Sequence, residues 1–196
     1  FEIPLLGMKI LTINNKKEEK FLRHKTAEFD FGTYSTTAGE KFNKKQLKKL
    51  ISNMKSTMEK APGIGLSANQ VGLNLKLFVA QIPETRLEKD GEEISTEATK
   101  FYAIFNPEIK KVSKEKTIME EGCLSVPGVF GEVKRPEKIT LEGYNQNGKK
   151  IELKAEGLLA KVFQHETDHL NGILFIDKAK NLRNYEDKNL KVVSDT

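Results

Sequence analysis

Gly157-Leu158-Leu159-Ala160-Lys161-Val162-Phe163-Gln164-His165-Glu166-Thr167-Asp168-His169-Leu170 is the stretch on which the reading of this chain turns. It reads as a helix over about 157–170. Its centre, His165-Glu166-Thr167-Asp168-His169, is an H-E-x-x-H sequence. Two histidines at i and i+4 lie one turn apart on one face, so both imidazoles can reach a single metal ion. At ~100° per residue, Leu158, Val162, His165, Glu166 and His169 fall within one stripe, while Lys161, Gln164 and Thr167 lie opposite. Burying three ionisable groups together would be costly without a metal to satisfy them. Asp168 sits just off that stripe beside His165, and a salt bridge from it to Arg135 is expected to brace the helix.

A catalytic metal usually takes three protein ligands and leaves one position for water. The chain has one cysteine, Cys123, which excludes an intramolecular disulfide and fits a reducing compartment. It lies in Glu121-Gly122-Cys123-Leu124-Ser125-Val126-Pro127-Gly128, where glycine and proline mark a turn in which a thiolate can face a cleft. A lone cysteine is otherwise an inert buried thiol. The missing third ligand of the histidine pair favours the functional reading. A third segment, Gly63-Ile64-Gly65-Leu66-Ser67-Ala68-Asn69-Gln70, superficially fits the dinucleotide fingerprint. That fingerprint must follow a strand and open a helix, and this segment does the reverse. Its glycines suit close approach of backbone to a ligand, and Gln70 offers a side-chain N–H for a developing oxyanion.

Outward from these segments, Leu47, Leu50, Ile51, Met54 and Met58 place a helix over Asn43–Lys60, stopped by Pro62-Gly63. Strands are expected at 75–82 and 101–105, the latter ended by Asn106-Pro107, with 84–99 as a charged loop. A hairpin follows, with 139–144 and 151–153 joined by Gln146-Asn147-Gly148-Lys149. Helix, several strands, helix is an α+β order with antiparallel or mixed β-sheets, not a βαβ repeat. Residues 14–41 are polar and read as an irregular N-terminal arm. The 196 residues are expected to form one domain, 1–196, with 1–42 as the arm and 178–196 as a short polar tail. There are 33 basic and 28 acidic side chains, a formal charge of +5. Scattered surface lysine explains so small an excess, and no sequence-specific nucleic-acid binding is expected. No apolar run approaches the ~20 residues of a membrane span. The first residues show no basic-then-apolar secretory pattern, so a cytoplasmic setting is expected, or an organellar one if the N-terminus has been trimmed.

Taken together and in this order, GIGLSANQ (63–70), EGCLS (121–125) and QHETDHLNG (164–172) resemble the motifs of peptide deformylase, G-x-G-x-A-A-x-Q, E-G-C-L-S and Q-H-E-x-D-H-L. The similarity continues through 127–139 and 157–165 and covers roughly 61–176. The resemblance implies an α+β domain whose sheets pack around the helix carrying HExxH. It implies one divalent ion, natively Fe2+ and often Zn2+, Ni2+ or Co2+ in preparations, held by Cys123, His165 and His169. Metal-bound water or hydroxide would attack the formyl carbonyl of N-formylmethionyl nascent peptides. Glu166 would carry the proton to the leaving amine. Gln70 and the backbone N–H of Leu124 would stabilise the oxyanion, and Gly65 would pair with substrate backbone. The methionine side chain would enter a pocket made by Leu158, Val162 and Ile64.

The chain departs from the family pattern in three places. Ser67 stands where alanine is common. The N-terminal start D-P-x-L-R is missing, with Leu22-Arg23 as its remnant. The tail carries only scattered lysines, Lys178, Lys180, Lys188 and Lys191, where relatives use a basic helix at the ribosome surface. Two other readings compete. An HExxH zinc metalloprotease would need a third ligand downstream, and the only other histidine, His24, is far upstream. A non-enzymatic basic domain with a structural metal would need four protein ligands.

Overall fold

The structure is a computed structural model and describes residues 7–87, 93–185 and 192–193. Its elements in chain order are α1 (Lys16–Leu22), β1 (Phe29–Asp30), β2 (Ser35–Thr36), α2 (Lys44–Lys60), β3 (Gly65–Ser67), β4 (Leu77–Leu87) and β5 (Glu93–Val112). Then come β6 (Lys116–Cys123), β7 (Val126–Pro136), β8 (Lys138–Tyr144), β9 (Lys150–Glu156), α3 (Gly157–Leu170), β10 (Lys180–Tyr185) and β11 (Val192–Val193). Two sheets carry the architecture, in the orders β3-β4-β5-β8-β9 and β11-β10-β7-β6, with β1 and β2 as a separate pair. Every strand pairing among the described residues is antiparallel. This is an α+β fold. Helix α3 packs against β3, β4, β5, β8 and β9 of the larger sheet and against β7 of the smaller one.

Helix α2 forms for the reasons legible in its sequence. Asn43 and Gln46 make a reciprocal capping box, each side chain accepting from the other's backbone N–H (2.9 and 2.8 Å). Leu47, Leu50, Ile51, Met54 and Met58 are all buried, against Leu66, Leu75, Leu77, Val79 and Phe105. Each such side chain contributes about 1.5–3 kcal/mol of burial. The hairpin β8–β9 turns at Asn145–Gly148, with Gly148 at φ +75.

Four expectations are corrected. The polar arm is structured. Asn15 Oδ1 accepts from Lys17 N and Glu18 N to start α1, and Leu22 and Phe29 are buried in the core. Isolated apolar residues without a period gave no signal in the sequence. Arg23 forks onto Asp177 (2.9 and 3.1 Å), so the arm is tied to the segment after α3. The segment 84–99, expected as a loop, is mostly strand. β4 runs to Leu87, β5 starts at Glu93, and Thr85 pairs with Ser95. Backbone pairing does not need apolar side chains, and 88–92 lie outside the described residues. Asn106-Pro107 does not end a strand. The Asn106 backbone is left-handed (φ +47) at a register shift within β5, and its side chain bonds both Phe29 N and Phe29 O. The tail begins with β10, a largely exposed strand that pairs with β7 on one side and β11 on the other. Lys188 and Lys191 lie outside the described residues.

Candidate metal centre

The three motif segments meet on one cleft. Cys123 ends β6 where the chain turns into β7, and the two histidines come from α3. Among the described residues, Cys123, His165 and His169 offer ligand atoms that all lie within 4.8 Å of one another. Cys123 Sγ is 3.1 Å from His169 Nε2, and the imidazole rings of His165 and His169 are 4.9 Å apart. Gln70 Nε2 reaches both Cys123 Sγ (3.5 Å) and Ser125 Oγ (3.0 Å). A soft sulfur and two imidazoles converging at this distance suit a divalent transition metal, with room for a fourth, exchangeable ligand.

The electrostatics fit the same group. Burial pushes His169 well below the usual imidazole range, aided by the charges of His165 and Arg135, so the ring is neutral as a ligand must be. Burial also opposes charge on His165, but the Cys123 sulfur and the Glu121 carboxylate overcome it and lift its pKa to about 10. That pull toward positive charge is one a divalent cation would answer in place of the proton. His165 Nδ1 lies 2.8 Å from Glu121 Oε2, which turns Nε2 toward the site. Burial would raise the Glu121 carboxyl, yet the bonds from His165 and Arg135 hold it at about 2.

Arg135 joins Glu121 to the metal helix. It donates to Glu121 Oε1 (2.5 Å) and Oε2 (3.0 Å) and to Asp168 Oδ2 (2.8 Å), so the expected Asp168–Arg135 bridge is present. Lys178 completes the chain on Asp168 (2.6 Å). Sequence reasoning missed Glu121 as the residue behind His165. Its signal was its place two residues before the cysteine, on the same face of an alternating strand.

Glu166 is buried, and burial raises its carboxyl pKa against the lowering effects of His165 and Ser67. Its Oε1 lies so close over Gly65 that a Cβ there would stand 2.3 Å away, so only glycine admits the carboxylate. The cleft holds a cavity of about 470 Å³ that Gly65, Gln70, Cys123, His165 and Glu166 all line. Ile64, Leu124 and Val162 line it too, as the sequence led one to expect, together with Pro127 and Phe130, which it did not. Phe130 lies over Gly122, where a Cβ would meet its ring at 2.6 Å.

Leu158 is not among the lining residues and is 38% exposed, which corrects its expected place in the pocket. The helix stripe is corrected as well. Gln164 and Thr167, expected to face outward, are buried because α3 is enclosed between two sheets. Lys161, placed with them, lines the cavity and donates to the Glu120 carbonyl. His24 is exposed and bonds the Lys20 carbonyl, away from the metal centre.

Comparisons with known proteins bear on most of the chain. The family model described as polypeptide deformylase matches residues 11–185. Peptide deformylase of Carboxydothermus hydrogenoformans is 46% identical over 134 residues, 68% of this chain and 78% of the relative. That of Halothermothrix orenii is 47% identical over 129 residues, 66% and 75% of the two chains. Among solved structures, a probable peptide deformylase from Synechococcus phage S-SSM7 is 36% identical, with a TM-score of 0.69 over 88% of this chain and 99% of its own. Peptide deformylase from Thermotoga maritima is 33% identical, with a TM-score of 0.69 over 89% and 98%. The enzyme of Acinetobacter baumannii, solved with Met-Ala-Ser bound, is 26% identical, with a TM-score of 0.68 over 88% and 98%.

Proposed function

The chain belongs to the polypeptide deformylase family, and on that premise we propose that Cys123, His165 and His169 hold its divalent metal ion, natively Fe2+. The enzyme is a metal-dependent hydrolase that removes the formyl group from the N-terminal formylmethionine of newly made polypeptides. The observation that carries the residue assignment is the convergence of the three ligand atoms within 4.8 Å beside a buried glutamate. A divalent ion there supplies Lewis acidity and brings the pKa of a coordinated water down to ~7.

The remaining roles fall to the chain's own groups. Glu166, held beside His165 without an orientation that makes it a ligand, takes a proton from water and passes it to the departing amine. Its raised pKa suits both halves of that task. Gln70 Nε2, already near Cys123 Sγ, donates to the carbonyl oxygen as charge develops, together with the backbone N–H of Leu124. β3 is the edge strand of its sheet, so Gly65 has a free side on which substrate backbone can pair. The apolar wall of Ile64, Leu124, Phe130 and Val162 takes the methionine side chain. A few buried methylenes at ~0.8 kcal/mol each favour methionine over alanine by about 10–100-fold.

Among the described residues no helix is long and apolar enough to cross a membrane. Action on nascent chains places the enzyme, in this reading, in the cytoplasm near the ribosome. The test is formate release from formyl-Met-Ala-Ser by wild type and Glu166→Gln, with metal content measured on both. Loss of about 10²–10⁴ in kcat at unchanged metal content is expected. Wild-type turnover in Glu166→Gln would remove Glu166 from the mechanism. Cleavage of unformylated peptides by the wild type would favour a metalloprotease.

A further inference from the structure

We propose that Ser67 is a positioning residue that aims Glu166, holding one carboxylate oxygen so that the other faces the cleft. Ser67 is fully buried, and its Oγ lies 2.6 Å from Glu166 Oε2 and 3.0 Å from the Glu166 carbonyl oxygen. One hydroxyl carries one proton, and the shorter, charge-assisted contact to the carboxylate takes it. With Oε2 engaged, Oε1 is left over the bare backbone of Gly65, on the wall of the cavity where substrate must lie.

The anchor is itself immobile. β3 pairs Ser67 with Phe78 of β4, and the Ser67 N–H donates to Gln70 Oε1 (2.8 Å). That second bond turns Gln70 Nε2 toward Cys123 Sγ and Ser125 Oγ. A single residue of β3 therefore orients two groups, Glu166 through its side chain and Gln70 through its backbone. Only the first depends on the residue being serine. The motif's common alanine would keep the Gln70 bond and lose the Glu166 bond. Without that bond the carboxylate regains rotation about its last side-chain torsion and spends less time aimed at the reacting atoms.

The inference rests on Glu166 as the proton carrier, so the experiment separates the two. Ser67→Ala, Glu166→Gln and the double variant are compared with wild type on formyl-Met-Ala-Ser, with metal content and melting temperature measured for each. Ser67→Ala is expected to lower kcat about tenfold, the effect of losing one hydrogen bond to a charged group. KM, metal content and melting temperature should stay near wild type. In the Glu166→Gln background the same change should have no further effect. Wild-type kcat in Ser67→Ala overturns the proposal while Glu166→Gln remains impaired. An equal tenfold loss in the Glu166→Gln background, or a loss that tracks metal content or melting temperature, also overturns it by assigning Ser67 to the fold. Wild-type turnover in Glu166→Gln removes the proton-carrier role itself.

Discussion

Helices α2 and α3 are both amphipathic in sequence and are held in place by different forces. The buried residues of α2 are apolar apart from Thr57, and its caps are local, from Asn43 and Gln46. Its lysines face solvent. The buried set of α3 includes Gln164, Glu166, Thr167 and His169 beside Ala160, Val162, Phe163 and Leu170. Several of its polar groups are answered from distant segments, while Thr167 Oγ1 and His169 Nδ1 have no hydrogen-bond partner among the described residues. Gln164 donates to the Pro136 carbonyl (3.0 Å), His165 faces Glu121, Glu166 faces Ser67, and the His169 carbonyl accepts from Asn69 Nδ2 (2.6 Å). Non-directional burial fixes α2, so its side chains can be exchanged for others of similar volume. Directional bonds fix α3, so its partners set where the reacting groups point. The chemistry sits on the helix for which the apolar-stripe rule fails.

The sharpest way to break that contrast is at the ligands. Cys123→Ser replaces a soft thiolate by an alcohol that resists deprotonation, and should cost most of the bound metal and most of the deformylation rate. Metal quantification after desalting, with the formyl-peptide assay, reads both. Full occupancy at unchanged turnover would take Cys123 out of the ligand set.

One shell further out, Glu121→Gln removes the charge that Arg135 and His165 share. Weakening the partner behind a ligating histidine should lower metal affinity about 10–100-fold. It also leaves the Arg135 guanidinium buried with its main partner gone, at a cost of about 3–5 kcal/mol. The pH dependence has a definite sign. Glu121 is held at about 2, against an ordinary 4.5. A carboxylate with a depressed pKa contributes stability above its unfolded value and loses it as pH falls through the folded one. The contribution, about 3 kcal/mol from that shift, is present above about pH 4.5 and gone near pH 2. Denaturant melts of metal-stripped protein between those limits should show the wild type losing stability more steeply than Glu121→Gln. Parallel curves would mean that Glu121 is not held charged by its neighbours.

The same contrast explains what the sequence disclosed. α2 and the β8–β9 hairpin were legible because period and turn chemistry are local. The convergence of Cys123, His165 and His169 was legible because HExxH is a one-turn spacing and Cys123 is a unique residue. The contacts of Ser67 with Glu166 and of Glu121 with His165 were not, since each forms only when β3, β6 and α3 converge. The helix wheel misplaced Lys161, Gln164 and Thr167 for a related reason. A wheel assumes one buried face, whereas α3 is enclosed by two sheets and the long Lys161 stem reaches back along the cleft. α1 escaped notice because Leu22 is its sole buried residue, and one residue has no period.

The smallest effect sharpens the comparison from the other side. Asn43 caps α2 at the end away from the Gly63–Gln70 motif, and its side chain accepts from Gln46 N at 2.9 Å. Asn43→Ala removes the acceptor for that N–H and leaves the apolar face untouched. It should cost about 1 kcal/mol of stability, the usual value of an N-cap. For a chain of this size that lowers the melting temperature by about 2–4 °C. Because α2 packs beneath β3 and β4 and none of Lys44–Lys60 lines the cavity, kcat, KM and metal content should stay at wild type. Thermal melts and the formyl-Met-Ala-Ser assay on one preparation decide it. A drop in kcat at an unchanged melting temperature would show α2 tuning the site, and the division between a packed helix and a bonded one would fall.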